Sequence, residues 1–130
     1  MPDPCSYDYA IVRVVPSAER GEFINAGVVL HCSERAFLKS LVHVDEQRLR
    51  GMWPDVDLDL VKHHLEAFPK VSAGDPAAGP IAGLTRRERF HWLCAPRNTI
   101  IQVSPVHSGM TADPEATLDE LFKRLVIALR

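Results

Sequence analysis

The strongest constraint on the fold lies near the start of the chain. There YDYAIVRVVP (7–16) and FINAGVVLHC (23–32) are separated only by the polar segment SAERGE (17–22). Both runs are rich in valine and isoleucine with aromatic residues among them, side chains that suit a pleated, half-buried surface. A connection this short cannot join parallel strands, so the runs are expected to pair as an antiparallel hairpin. AFLKSLVHV (36–44) follows through the tight polar turn SER and reads as a third strand. The chain therefore begins as a three-stranded meander.

Helix signals come next. VDEQRLRGMW (44–53) reads as a short helix ending at Gly51. Asp57 can cap a helix over 58–68, where Leu58, Val61, Leu65 and Phe68 recur at helical spacing, and Pro69 is expected to stop it. SAGDPAAGPIAG (72–83) reads as a loop with room to be mobile. Thr85 and Glu88 form a capping-box pattern that favours a helix over 86–94. The competing reading, from the alternation of Phe90, Trp92 and Cys94, is a strand over 89–94.

APRN (95–98) reads as a turn and TIIQVS (99–104) as a strand. SPVHSGMT (104–111) reads as a turn in which Gly109 permits positive φ and Ser108 or Thr111 bonds the backbone. Asp113-Pro114-Glu115 then opens a helix that carries Leu118, Leu121, Phe122, Leu125, Val126 and Leu129 on one face. The expected fold class is α+β. A mainly antiparallel sheet, the N-terminal meander plus a later strand, carries helices packed on one face as a two-layer sandwich. At 130 residues the chain is expected to be a single domain, 1–130.

Composition narrows the function. The chain is 46% hydrophobic and 25% charged, as a soluble globular protein is, and a net charge of −2 gives no broad attraction to nucleic acid or anionic membrane. No apolar run approaches a membrane span, and MPDPCSYDY carries no basic and apolar leader, so a cytoplasmic location is expected. Cys5, Cys32 and Cys94 form no C-x-x-C pair and read as free thiols rather than a disulfide framework or zinc site. His63 and His64 are adjacent on a helix and diverge by about 100°, and His43 with Asp45 supplies too few ligands. No metal or cofactor site is assigned.

Two segments can carry binding. In the first, Arg13 interrupts an apolar strand, with Asn25 and Gly27 able to face it from the partner strand and Arg20 and Glu22 at the turn. A guanidinium beside an amide suits a carboxylate or phosphate. Equally, Arg13 can lie on an exposed face or pair with Glu22, and Gly27 can be a bulge. In the second, Arg97 and Asn98 precede a strand containing Gln102, and His107 follows Pro105. His107 is the one candidate general base, with Ser104 or Ser108 as nucleophile, but there is no G-x-S-x-G elbow and no acid in sight to orient the imidazole. TRRERFHW (85–92) sets Arg86, Arg87 and Arg89 beside Phe90 and Trp92, a pattern that can hold phosphates and stack bases or can be a solvated helix face.

YAIVRVVPSAERGEFINAGVVLHC and RFHWLCAPRNTIIQVSPVHSGMTADPEATLDELFKRLV, about half of the chain, resemble the bacterial domain-of-unknown-function family 3037. R-G-E-x-x-N-x-G-V combined with a later S-P-x-H-x-G carries the resemblance. It implies a small cytoplasmic companion protein whose genes neighbour those of HipA-like kinases, with the kinase as a partner. It also raises Arg20, Glu22, Asn25 and His107 above ordinary surface. The reading is a non-enzymatic accessory or binding domain using Arg13, Arg20, Glu22, Asn25, Arg97, Gln102 and His107. The alternatives are a small hydrolase or transferase with His107 as base, and nucleic-acid binding through Arg86, Arg87 and Arg89.

Overall fold

The computed structural model describes residues 3–97 and 99–127. Strand β1 (Cys5–Ser17) pairs antiparallel with β2 (Glu22–Cys32), and β2 with β3 (Phe37–Val42), which makes the expected meander. The β1–β2 turn contains Gly21 at φ +72°, a left-handed conformation that favours glycine. After β3 come α1 (Glu46–Met52), α2 (Leu58–Ala73) and α3 (Arg86–Cys94), then β4 (Ile101–Val103), β5 (His107–Thr111) and α4 (Pro114–Phe122), which runs into a π-helical turn over Lys123–Ile127. The sheet order is β3-β2-β1-β4, with β5 also on β1. All pairings are antiparallel, so the α+β class is as expected.

One later strand was expected and two are present. Both lie end to end on the edge of β1: β4 pairs with Val12–Val14 and β5 with Cys5–Tyr9. SPVHSGMT is thus mostly a strand rather than a turn. Pro105 has no N–H for the ladder, and Ser104 bridges the gap. Its hydroxyl accepts from Ile11 N at 2.8 Å and donates to Pro105 O at 2.8 Å. Gly109 is not in a positive-φ conformation. A Cβ there would sit 2.7 Å from the Tyr7 hydroxyl across the strand pair, so a larger residue has to push that ring aside.

The helices cover both faces of the sheet, where the sequence reading placed them on one. Ala10, Val12, Val14, Ile24, Ala26, Val29 and Leu38 pack with α1, α2 and α3. Val28, Leu30 and Cys32, on the opposite side of β2, pack with Leu118, Leu121 and Val126 from the C-terminal helix. The cause is visible in β2, where every residue from Ala26 to Cys32 is buried. A strand apolar on both sides demands cover on both sides. Cys5 and Cys32 lie buried on the α4 side as free thiols with sulfurs 3.0 Å apart.

Helix α2 does not stop at Pro69 but continues to Ala73, with Gly74 closing it in a left-handed conformation. An interior proline costs about 3 kcal/mol. Against this stand the burial of Val71, worth about 1.5–3 kcal/mol, and the Arg89 guanidinium, which donates to Val71 O at 2.9 Å and Ser72 O at 2.7 Å. Each such charge-assisted bond adds about 1.5–3 kcal/mol. Segment 72–83, expected as a loop, begins as the end of α2. It then makes two tight turns, Pro76–Ala78 and Pro80–Gly83, whose Ala78 and Ile81 pack on the core. Segment 86–94 is the helix, with both capping-box bonds formed between Thr85 and Glu88. Asn98 of the expected 95–98 turn and Leu129 of the last helical face lie outside the described residues.

Candidate functional site

The antiparallel register assembles part of the expected binding patch. On β1, Arg13 pairs with Asn25 of β2 on one side and Gln102 of β4 on the other. Directly opposed residues share a face, so Gln102, Arg13 and Asn25 form a row across three strands on the α4 side. The Phe23 ring, 44% exposed, lies 4.1 Å from the Arg13 guanidinium carbon. Asn25 Nδ2 donates to Leu125 O at 3.1 Å, which ties the row to the C-terminal helix, and Gln102 Nε2 donates to Thr99 O at 3.1 Å. Arg13 Nε and Asn25 Oδ1 are buried and have no hydrogen-bond partner among the described residues. Gly27 does not join the row. A bulge between Val12 and Arg13 pairs it with Val12 on the other face, where a Cβ would sit 2.7 Å from Leu41 O.

The remaining expected site residues are dispersed. Arg20 and Glu22 form an exposed ion pair of 2.7 Å at the turn. Hydrogen bonding and attraction within the pair raise the Arg20 pKa and lower that of Glu22. Arg97 serves the end of α3, donating to Leu93 O at 2.8 Å and Trp92 O at 3.2 Å between the Phe68 and Trp92 rings. Burial lowers its pKa. His107 is exposed on β5, its ring 5.3 Å from that of Tyr9. It pairs with Tyr9 and so shares the face of Arg13, but four residues along β1 separate them by roughly 13 Å. Ser104 is committed to the strand junction and is no free nucleophile.

The arginine cluster on α3 is split. Arg86 and Arg87 are exposed, whereas Arg89 is 8% exposed and gives all its bonds to the carbonyls of Val71, Ser72 and Leu84. Phe90 is buried as well, so the expected basic patch with interleaved aromatics is not assembled.

A second polar row was missed in the sequence. Asp8 of β1 pairs with His31 of β2 and Ser108 of β5, on the α3 side of the sheet. Ser108 Oγ donates to Asp8 Oδ1 at 2.5 Å. His31 is 8% exposed and stacks on Phe90 at 5.2 Å. Burial lowers its pKa, assisted by His91, Arg87 and Arg86 and opposed by Asp8. These residues bound a cleft of about 210 Å³, with Ser6, Asp8, His31 and Ser33 below and Arg87, Phe90 and His91 of α3 above. Asp8 and His31 are single polar residues inside apolar runs, and the hairpin register that pairs them was the available signal.

The fold and its two rows define a five-stranded antiparallel α+β protein with polar residues set into both sheet faces. The chain belongs to the family of proteins of unknown function DUF3037, whose model matches residues 9–126. No curated protein and no solved structure matches it. Among the described residues, no helix is long and apolar enough to cross a membrane.

Proposed function

We propose that this protein is a non-enzymatic binding domain and that the Gln102–Arg13–Asn25 row is where it meets its partner. The supporting observation is the pair of unmet groups, Arg13 Nε and Asn25 Oδ1, a buried donor and a buried acceptor on directly opposed residues. Each costs about 1–3 kcal/mol while unpaired. Both atoms are enclosed, so a partner reaches them only by displacing the cover that Leu125 provides; its amide, carbonyl on Arg13 and N–H on Asn25, then relieves both. Phe23 offers an adjoining apolar contact. The partner put forward by the family resemblance is a HipA-like kinase, with both proteins in the cytoplasm.

The hydrolase or transferase reading needed His107 within reach of Arg13, Arg20, Glu22 or Arg97. The roughly 13 Å between His107 and the Arg13 row, and the use of Arg97 to close α3, favour the binding reading over it. Nucleic-acid binding has only Arg86 and Arg87 left of its three arginines.

The test is affinity for a HipA-like kinase from the same host, using wild type and Arg13→Lys, which keeps the charge and removes Nε. We expect a complex with wild type and a loss of about tenfold or more in Kd for the variant, with an unchanged far-UV spectrum. Absence of a wild-type complex, or equal affinities, would overturn the reading.

A further inference from the structure

The cleft beneath α3 is separate from the Arg13 row and lies on the other face of the sheet. Its floor and roof carry opposite charge. Asp8 lies below, while Arg87 and His91, four residues apart on α3 and so on one helix face, lie above. Neither Asp8 nor Arg87 takes part in an ion pair among the described residues. His31 is more than nine-tenths buried, lines the cleft, and its ring nitrogens form no hydrogen bond to a described residue. Its ring nitrogens are not among the enclosed unpaired atoms, so they stay open to the cleft, where a ligand can bond them.

We propose that this cleft binds a small zwitterion of amino-acid build. Its ammonium group sits on Asp8 and its carboxylate on Arg87 and His91. The Asp8 carboxylate disfavours a simple anion, and Arg87 disfavours a simple cation. A molecule carrying both charges satisfies floor and roof together. His31 and the hydroxyls of Ser6 and Ser33 supply further hydrogen bonds between the two charged ends. The cleft, about 210 Å³, is of a size for a small ligand rather than a large one. The Phe90 ring, 3% exposed and stacked on His31, holds the imidazole in place at the cleft.

The experiment is calorimetric titration of the full chain with L-serine, acetate, methylammonium and inorganic phosphate, with amide shifts mapped by NMR. L-Serine should bind with a Kd of about 1 mM or tighter, and acetate and methylammonium at least about tenfold more weakly. Shifts should centre on residues 6–8, 31–33 and 87–91. Asp8→Asn, which still accepts the Ser108 hydrogen bond, should weaken L-serine about tenfold or more without weakening acetate. Arg87→Gln should weaken both, and Arg13→Lys neither. Phosphate bound as tightly as L-serine would make this an anion site and overturn the proposal. So would L-serine affinity that survives Asp8→Asn, or no L-serine binding by the folded wild type.

Discussion

Strand β1 carries two charged residues, Asp8 and Arg13, and the sheet treats them in opposite ways. Arg13 points to the α4 side, flanked by Gln102 and Asn25, and the carbonyl of Leu125 closes over the row. Asp8 points to the α3 side, flanked by Ser108 and His31, and an open cleft lies above it. Each row spans three strands around one charge from β1. The cationic row leaves one donor and one acceptor unmet among the described residues. In the anionic row Ser108 bonds one carboxylate oxygen of Asp8, and the largely buried His31 imidazole lines the cavity. One strand can thus present two chemically different surfaces, because alternate residues face opposite sides and each side has its own helical cover.

The largest effect expected within this comparison comes from the glycines that border the rows. Gly27→Ala places a Cβ 2.7 Å from the Leu41 backbone oxygen and 2.9 Å from Val42 Cγ1, in a buried sheet that cannot yield. Overpacking there should cost about 3 kcal/mol and lower the Tm by on the order of 10 °C in a calorimetric scan. Gly109→Ala meets only the Tyr7 ring, which can swing aside, and should cost about half as much. Equal losses would show that the Tyr7 ring yields no more readily than the β2–β3 pair.

The pH dependence of stability separates the rows next. Burial holds the folded His31 pKa below its unfolded value of about 6.5, so the unfolded chain takes the proton first. Stability contributed by neutral His31 is present above about pH 7 and is lost as pH falls through 6.5 toward the folded value. Asp8, which faces His31, opposes this shift, whereas His91, Arg87 and Arg86 reinforce it. His31→Gln should flatten the urea-denaturation profile between about pH 7 and 5, and Arg13→Lys should not. A wild-type profile that remains flat there would contradict the account.

The smallest effect concerns the thiols. Burial raises the Cys32 pKa and pushes Cys94 up to about 12. Cys5 and Cys32 are fully enclosed. A water-soluble disulfide reagent should therefore titrate none of the three in the folded protein and all three in denaturant. A fast-reacting native thiol would show that the sheet end at Cys5 and Cys32, or the end of α3 at Cys94, is open.

The sequence exposed the elements more readily than the layers. The hairpin, the capping box at Thr85 and the Asp113-Pro114 helix start follow from local chemistry, and each is present. Pro69 misled because its cost is local, whereas what offsets it, Val71 burial and the Arg89 bonds, is tertiary. The second helical layer was legible in the unbroken apolar run Ala26–Leu30 of β2, which cannot leave one face to water. Of the site, the Arg13–Asn25 pairing followed from the hairpin, and Gln102 joined it by long-range pairing on the other edge. Ser108 reaches Asp8 only because SPVHSGMT returns as a strand, which Ser104 permits by spanning the gap at Pro105.

The central claim is that the Arg13 row, and not the Asp8 row, meets the protein partner. The direct measurement is binding of the proposed partner, a HipA-like kinase, to wild type, Arg13→Lys and Asp8→Asn, side by side at one salt concentration. Wild type and Asp8→Asn should bind alike, while Arg13→Lys loses about tenfold or more in affinity. Loss of binding in Asp8→Asn with Arg13→Lys unaffected would reverse the two assignments and contradict the account.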